Sequence, residues 1–342
     1  MVSFCIITYN QEAFVREAIE AALRQEYSDI EFIISDDCST DSTFEVIQST
    51  IRRQQIPAPI KVLQTPVNLG MGGNINRIME VAKGSIIVIA AGDDISHPDR
   101  TRCLVEAFRR YSGQVHSVYS DHRSFTTLQN GDREEYIAKR YEGKNLEYLR
   151  GNLADYILHM RPMVTGATHA WHRNVFEKFG PLGPKTRFED LAISFRSLSL
   201  GGICRIKDPL VLYRRHQTNM SFNPLDKVYQ TKDELKDVKL KELVALRGFL
   251  VGYKYMKRDL TLMTGLEEPE RRRLINLLNQ TILWYRVQIR LRTGADGKRA
   301  KCALKYLRLT RDFRAAPQLM KLLIPECVMD RMRLLKRMLK PC

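Results

Sequence analysis

The sequence predicts an α/β protein: a mostly parallel sheet with helices on both faces, followed by a helical, basic C-terminal region. Residues 1–120 alternate short apolar runs with stretches whose apolar residues recur at helical spacing. The runs are almost continuously apolar, as expected for parallel strands that are buried on both faces. Charge divides the chain as well. Of the net charge of +16, residues 225–342 carry +15 (28 basic and 13 acidic side chains), and residues 1–224 carry +1. We therefore expect two domains, 1–224 and 225–342.

Four strands are predicted in the first ninety residues, with helices between them. The strands are Val2–Thr8, Ile30–Ser35, Ile60–Leu63 and Ser85–Ala91, and the helices cover about 14–22, 44–51 and 75–82. This βαβ order favours a parallel sheet, in which ligands bind beyond the carboxyl ends of the strands.

The rest of the chain has a less regular pattern. Residues 121–160 are polar and irregular and are interpreted as an insertion or a linker. A helix is expected to open at Phe188-Glu189-Asp190, and two short strands at Ile203–Ile206 and Leu210–Arg214. From about residue 225 the pattern is helical, with breaks at Gly265–Pro269 and Gly294–Gly297.

Composition excludes several protein classes. With 44% hydrophobic and 27% charged residues, the chain is too apolar for a disordered protein. No apolar run approaches the roughly 18–20 residues of a membrane span, and the N-terminus has no basic leader, so a signal peptide is not expected. The seven cysteines are scattered without a CxxC motif, which indicates neither a disulfide framework nor a zinc cluster and favours a reduced, cytosolic compartment.

Two predicted strands end in acidic pairs, Asp36-Asp37 and Asp93-Asp94. Adjacent buried carboxylates repel each other, so a positive group is expected beside them. A divalent cation that holds a diphosphate satisfies this need, since hard oxygen ligands suit Mg²⁺ or Mn²⁺. A turn and helix cap explains Asp93-Asp94 about equally well.

Three further features are weaker in isolation. Gly70-Met-Gly72-Gly73 precedes a helix but lacks the third glycine of a dinucleotide fingerprint, so we expect a turn there. Asp190 at a helix start is favoured by the helix dipole alone. His216, beside Arg214 and Arg215, is either structural or part of a phosphate site.

Taken together, these motifs resemble family 2 glycosyltransferases of the GT-A fold. The resemblance covers about residues 1–220 and rests on five segments in the same order and spacing. They are Val2-Ser-Phe-Cys-Ile-Ile-Thr-Tyr-Asn10, Ile34-Ser-Asp-Asp-Cys-Ser-Thr-Asp-Ser-Thr43, Asn68-Leu-Gly70, Ala82-Lys-Gly84 and Ala91-Gly-Asp-Asp-Ile-Ser-His-Pro-Asp-Arg100.

The resemblance implies an inverting transfer of a sugar from a nucleotide donor, usually UDP-linked, to an acceptor hydroxyl, with Mn²⁺ or Mg²⁺ as cofactor. It implies that the nucleotide pocket contains Thr8, Tyr9, Asn10, Asn68 and Gly70, with Asp37 at the nucleobase and Asp93 at the ribose. It further implies that Asp94 holds the metal, with Asp93 and His216 beside it, and that Arg214 and His216 of the segment Tyr213-Arg-Arg-His216 close over the diphosphate. Asp190 is implied as the catalytic base.

The chain departs from the family pattern in three places. Ile7-Thr8 replaces the frequent Pro-Thr, and Ile75 stands where many members have an arginine, so that Arg77 or Arg214 would have to supply its phosphate contact. No Gln-x-x-Arg-Trp motif follows Asp190, which disfavours a processive synthase.

Two other classes of function stay open from sequence. The basic balance (pI about 9.6) is typical of nucleic-acid binding, but no recognition motif of that class is found and nucleic acid is not expected as a partner. A metal-dependent nucleotidyltransferase would use a similar sheet, but the glycine-rich, lysine-bearing activation loop is missing near the N-terminus.

The basic third suggests a location. Residues 331–340 form a basic amphipathic pattern that favours an anionic membrane surface, and Trp284-Tyr285 with Arg286, Arg290 and Arg292 is a second candidate patch. The alternative is a helical subdomain that packs on the catalytic core. The membrane interpretation places the protein in the cytoplasm, peripheral on the inner face of the cell membrane, with a saccharide or lipid-linked saccharide acceptor in surface-polysaccharide assembly.

Overall fold

The computed structural model describes residues 1–54, 58–126, 128, 131–216, 219, 232–293 and 306. Its strands are β1 (Val2–Thr8), β2 (Ile30–Asp36), β3 (Ile60–Gln64), β4 (Ile86–Ala91), β5 (Ile95–Ser96), β6 (Ser117–Phe125), β7 (Leu146–Arg150), β8 (His169–His172) and β9 (Gly202–Arg214). Its helices are α1 (Val15–Ala22), α2 (Thr43–Arg52), α3 (Gly70–Val81), α4 (Arg100–Arg110), α5 (Asp132–Ala138), α6 (Leu153–His159), α7 (Asn174–Phe179), α8 (Glu189–Leu200), α9 (Lys232–Thr261) and α10 (Glu268–Thr293), with a 3₁₀ turn at Gly166–Thr168.

The strands form one nine-stranded sheet in the order β3-β2-β1-β4-β8-β6-β9-β5, with β7 paired to β9. The pairs β1–β2, β1–β4, β2–β3 and β6–β9 are parallel. The pairs β4–β8, β6–β8, β5–β9 and β7–β9 are antiparallel. The predicted α/β class with a mostly parallel sheet is confirmed.

The parallel registers bring the predicted strand ends to one edge of the sheet. Thr8 at the end of β1 pairs with Asp36 at the end of β2, and Ile7 pairs with Ala91 at the end of β4. The residues that follow each strand therefore leave the sheet side by side. This register positions the candidate site.

Two predicted boundaries differ from the structure. The segment after Asn68 is not a turn up to Gly73, because α3 begins at Gly70, where the Asp37 carboxylate accepts the first backbone N–H groups. The two short strands expected at 203–214 are one strand, β9, whose register against β6 shifts at Pro209. Proline supplies no N–H to the ladder, so the pairing is interrupted there without ending the strand.

The interpretation of residues 121–160 as an irregular insertion or linker is wrong. The segment contains the end of β6 and all of α5, β7 and α6. Strand β6 lies between β8 and β9 in the sheet. Its buried Ser117 and Ser120 and its half-buried Asp121 give it a polar sequence although it is central, which explains why the apolar pattern did not reveal it.

The first part of the basic third packs on helices α6 and α8. Helices α9 and α10 pair with each other and contribute to the same hydrophobic cluster as α6 and α8; its buried members on α9 and α10 include Tyr253, Met256, Leu260, Leu274 and Leu278. For residues 239–293, the structure therefore agrees with the alternative considered from sequence, in which a helical subdomain packs on the rest of the protein. None of the helices in the described ranges is both long and apolar enough to cross a membrane.

Trp284 and Tyr285 are half-buried and contact other aromatic side chains. The Tyr285 ring stacks on Phe249 and Tyr253 of α9, with ring centroids 5.6 and 5.4 Å apart. Trp284 contacts Tyr306. The Tyr285 ring therefore serves the packing of α10 on α9, and the interfacial patch expected from sequence stays a prediction.

A buried ion pair joins α8 to α9. Arg196 and Asp259 are each 1% exposed, and Arg196 Nε donates to Asp259 Oδ2 at 2.7 Å. The same guanidinium donates to the carbonyl oxygens of Gly180 and Pro181. Breaking one partner of such a pair costs on the order of 3–5 kcal/mol because the other charge stays buried. The relative placement of α8, α9 and the 180–181 turn is thus tightly coupled.

Three expectations fall outside the described residues: the helix break at Gly294–Gly297, the amphipathic pattern at 331–340, and the domain boundary at 224. They stay predictions.

Candidate active site

A cleft of about 820 Å³ opens at the carboxyl edge of β1, β2 and β4. All the sequence-predicted site residues line it except Asp94 and Arg214. The lining includes Thr8, Tyr9, Asn10, Asp37, Asn68, Gly70, Asp93, His216 and Asp190, together with the loop 184–189 and the segment 164–167. The structure therefore brings Asp190 from the N-terminus of α8 into the same cavity as the ends of three strands.

The segment after β1 is held by side chains from the loop after β2. Thr8 Oγ1 donates to Asp36 Oδ1 at 3.1 Å. Asn10 has a left-handed backbone (φ 51°), and its Oδ1 accepts from Thr40 N at 2.8 Å. Tyr9, between them, is 46% exposed at the cleft. The two loops thus form one wall whose flat aromatic ring is available to a ligand.

Asp37 is buried (4% exposed) and links β2 to α3. Its Oδ1 accepts from Leu69 N at 2.8 Å and from Thr65 Oγ1 at 3.1 Å, and its Oδ2 accepts from Gly70 N at 2.8 Å. Backbone donors at a helix N-terminus stabilise the ionised carboxylate. Asp37 therefore orders the Asn68–Gly70 turn and also faces the cleft.

The pair after β4 splits into one residue at the cleft and one behind it. Asp93 lines the cleft, and its Oδ2 lies 2.9 Å from His216 Nε2. Asp94 is 3% exposed and does not line the cleft; its Oδ1 accepts from Arg214 N at 2.8 Å, and its Oδ2 has no hydrogen-bond partner in the described structure. Burial, and then the neighbouring Asp93, raise the pKa of Asp94 well above its usual range.

Arg214 lies behind the cleft, where it orders the end of β9. Its guanidinium packs between the rings of Phe14 and Phe125, pairs with Glu17, and donates from Nε to the carbonyl oxygen of Asp93 at 2.9 Å. Arg77 forms an exposed pair with Glu80. Neither arginine lines the cleft, so neither occupies the place expected for a replacement phosphate contact.

Asp190 is partly buried at the second position of α8, with Glu189 (8% exposed) before it. Burial raises the pKa of Asp190 to about 6, opposed by backbone hydrogen bonds that include Leu191 N to Oδ1 at 2.7 Å. Burial, with the Asp190 charge next, raises the pKa of Glu189 to about 8. The pair therefore titrates near neutrality, as general acid–base groups do.

The start of α8 rests on α9. Phe188, which precedes the helix, stacks on Phe249 with ring centroids 4.5 Å apart. Gly248 of α9 lies against the Phe188 ring, since a Cβ at position 248 would come within 2.8 Å of that ring. The small residue lets α9 approach the segment that carries Asp190. The C-terminal helices therefore support the candidate base from behind.

Several cleft residues were not singled out from sequence: Lys185, Thr186 and Arg187 in the loop before α8, Asn219 beside His216, and Gln11. They stand in loops without periodicity. Asp190 was assigned through the family resemblance, because its position at a helix start gave no functional signal of its own.

The donor set beside β4 fits a divalent cation. The Asp93 carboxylate and the His216 imidazole converge at the cleft, and the second oxygen of Asp94 is a buried acceptor without a partner. Carboxylate oxygen suits Mg²⁺ and Mn²⁺, and imidazole is accepted by transition metals. Among the described residues, no group of three or more His, Cys, Asp or Glu side chains converges as a complete metal site.

Comparison with known sequences identifies a domain. Residues 3–170 match the family described as Glycosyl transferase family 2. A relative from Nostoc sp., an uncharacterized glycosyltransferase, is 31% identical over 225 residues, 64% of this chain and 66% of its own. The succinoglycan biosynthesis protein ExoO of Rhizobium meliloti is 34% identical over 115 residues, 33% of this chain and 31% of its own. The chain thus spans less than two thirds of either relative.

Comparison with solved structures identifies the fold as GT-A. S. aureus TarS 1–349, solved in complex with UDP-GlcNAc, superposes with a TM-score of 0.51 over 92% of both chains at 14% identity. The mannosyltransferase PcManGT of Pyrobaculum calidifontis, solved with GDP-Man and Mn²⁺, gives a TM-score of 0.53 over 94% of this chain and 84% of its own, at 15% identity.

The raised pKa of Glu189 predicts a pH-dependent effect of Glu189→Gln on stability. The unfolded chain ionises Glu189 above its ordinary pKa of 4.5, whereas the folded protein does so only near pH 8. The folded state is therefore penalised as pH rises through this window, and glutamine removes the penalty. We expect the variant to gain on the order of 2–4 kcal/mol over the wild type at pH 9 and little at pH 5.

Chemical denaturation at both pH values measures this difference, with Glu45→Gln, the same substitution at an exposed position of α2, as control. An equal increment at pH 5 and pH 9 would contradict the assignment.

Proposed function

Because residues 3–170 match the glycosyl transferase family 2 model, we propose that the protein transfers a sugar from a nucleotide-sugar, of the UDP-sugar class, to a hydroxyl of a saccharide acceptor with inversion at the anomeric carbon. The observation that carries the proposal is the meeting of Asp37, Asp93, His216 and Asp190 in one cleft. These residues come from β2, β4, the segment after β9 and α8, and sequence assigned them to one reaction.

The nucleoside is proposed to bind between the β1 and β2 loops and the start of α3. Tyr9 offers an exposed ring for stacking, and Asp37, Asn68 and Gly70 line the same end of the cleft. Asp37 retains acceptor capacity for a base N–H because each carboxylate oxygen accepts more than one hydrogen bond. TarS was solved with UDP-GlcNAc and PcManGT with GDP-Man, so a panel of UDP-, dTDP- and GDP-sugars tests the choice of base.

Asp190 is proposed as the base. It accepts the proton of the acceptor hydroxyl as that oxygen bonds to the anomeric carbon and the bond from this carbon to the diphosphate breaks. A pKa of about 6 leaves the carboxylate mostly ionised at pH 7 yet basic enough for proton transfer. Glu189, with its pKa of about 8, stays protonated and adds no second negative charge at the acceptor side.

A divalent cation is proposed as cofactor, held at the cleft by Asp93 and His216. When bound, such an ion neutralises charge on the departing diphosphate. The sequence expectation gave Asp94 this role, but the Asp94 side chain lies outside the cleft lining and accepts from Arg214 N. We propose instead that Asp94 fixes the backbone of β9, so that His216 reaches Asp93.

The acceptor and location are proposed from sequence. The helical basic pattern at 331–340 lies outside the described residues and supports peripheral attachment to the inner, cytoplasmic face of an anionic membrane. Surface-polysaccharide assembly on a lipid-linked saccharide fits this placement, and one relative is named for succinoglycan biosynthesis.

Replacing the candidate base tests the reaction. Asp190→Asn keeps size and the Leu191 contact but cannot accept the proton, so turnover should fall on the order of 10²–10⁴-fold with donor binding retained. The measurement is release of nucleoside diphosphate from the donor that the panel identifies. Asp155→Asn, on the surface, is the control. Undiminished turnover in Asp190→Asn would contradict the assignment of Asp190 as the base. Release of pyrophosphate in place of nucleoside diphosphate would indicate nucleotidyl transfer.

Metal removal distinguishes the two aspartates. With Asp93 as ligand, UDP binding in calorimetry should depend on Mn²⁺ in the wild type and in Asp94→Asn, whose amide oxygen still accepts from Arg214 N, but not in Asp93→Asn. Mn²⁺ dependence that survives in Asp93→Asn and vanishes in Asp94→Asn would return the role to Asp94.

Deletion of residues 326–342 tests membrane attachment. The truncated protein should lose sedimentation with anionic vesicles and keep UDP binding, because the cleft lies in residues 7–219. Neutral vesicles give the control. Unchanged sedimentation would contradict attachment through this segment.

A further inference from the structure

The cleft contains more acidic than basic groups. Its lining includes the carboxyl groups of Asp37, Asp93 and Asp190, besides Glu189, which is proposed to stay protonated. The lysine and arginine side chains in that lining are Lys185 and Arg187, both in the loop before α8. A phosphate-bearing ligand adds further negative charge, so these two cations are in the position to offset it.

Both cations are available to a ligand. Lys185 is exposed and Arg187 is half-buried, and within the described residues neither makes a hydrogen bond or an ion pair. The arginines considered from sequence differ in this respect, because Arg77 is paired with Glu80 and Arg214 with Glu17. An unpaired guanidinium at a concave surface is well suited to phosphate oxygens.

The loop that carries the cations is fixed in place. Asn76 of α3 donates to Leu182 O at 2.9 Å and accepts from Leu182 N at 2.8 Å. Gly72 N donates to Thr186 O at 3.0 Å. On its other side, Gly183 packs so closely on Tyr255 of α9 that a Cβ would overlap the ring. The loop is therefore a preorganised element rather than a free surface turn.

Thr186 supplies a second, independent indication of a ligand. Its side chain is 3% exposed and lines the cleft, and its Oγ1 has no hydrogen-bond partner in the described structure. A buried hydroxyl without a partner costs on the order of 1–3 kcal/mol, which a bound acceptor atom recovers. A phosphate oxygen between Lys185 and Arg187 is such an acceptor.

We propose that the loop Pro184–Arg187 is a phosphate-binding element, in which Lys185, Arg187 and the Thr186 hydroxyl contact phosphate oxygens. This proposal rests on the proposed function for the identity of the ligand, which is either the diphosphate of the donor or a phosphate group on the acceptor. In the first case the loop supplies the phosphate contact that Ile75, which is buried in the core, cannot make.

Calorimetric binding of uridine and UDP, each with Mn²⁺, measures the phosphate contribution directly. For the double variant Lys185→Gln/Arg187→Gln we expect the ratio of UDP to uridine affinity to fall about 10²–10⁴-fold, since each of the two charge-assisted hydrogen bonds contributes about 1.5–3 kcal/mol, while uridine affinity is unchanged. Thr186→Val should lower the ratio less. Arg77→Gln is the matched control, a cation of α3 paired outside the cleft.

A second arm identifies the source of the phosphate. If the donor ratio is unchanged, binding of inorganic phosphate to the UDP complex is compared, and its loss in the double variant assigns the loop to an acceptor phosphate. No change in either arm overturns the proposal. A wild-type protein that binds neither UDP nor GDP contradicts the proposed function instead, and the phosphate arm, run without nucleotide, then decides the loop by itself.

Discussion

Four carboxylates emerge at one edge of the sheet, and the free energy of burying them organises the elements around it. The parallel register of β1, β2 and β4 leaves Asp36, Asp37, Asp93 and Asp94 side by side at their carboxyl ends. Each is at most 7% exposed, so each must be compensated inside the protein. Asp37 recruits the N-terminus of α3, Asp36 the loop after β2, Asp94 the backbone of β9, and Asp93 the imidazole of His216. The cleft lies between the elements that these four aspartates hold in place.

The opposite wall of the cleft depends on the C-terminal helices. Asp190 stands at the start of α8, which the buried Arg196–Asp259 pair and the Phe188–Phe249 stack tie to α9. A charged pair in an apolar cluster tolerates little displacement, because its attraction falls while its desolvation cost persists. The described part of the basic third is accordingly a structural partner of the catalytic half, and its apolar face is used for packing. Attachment to a membrane would be left to residues outside that part.

The strand ends and the acidic pairs could be read from sequence because buried parallel strands are continuous apolar runs and their loops carry the chemistry. Strand β6 could not, since its polar residues hide the strand pattern and Asp121 is paired with Arg205 of β9, a contact that the local sequence does not show. The sequence also could not show that Asp93 lines the cleft while Asp94 lies behind it. This difference follows from the contact of Asp94 with Arg214, 120 residues away in the chain. The packing of α9 likewise depends on long-range contacts. Its amphipathic pattern was compatible with such packing but did not identify the helices that it contacts.

The loop 181–188 connects these two halves of the site. It is held by Asn76 on α3 and by Tyr255 and Phe249 on α9, and it carries Lys185 and Arg187 immediately before Asp190. The two cations and the candidate base therefore lie close together in one segment. In such an arrangement the contacts that fix phosphate charge also fix the distance from that charge to the base, so that ligand binding and base placement are set together. The net charge of +1 in residues 1–224 does not show that acidic residues line the cleft at the strand ends while two basic residues lie in the loop before the candidate base.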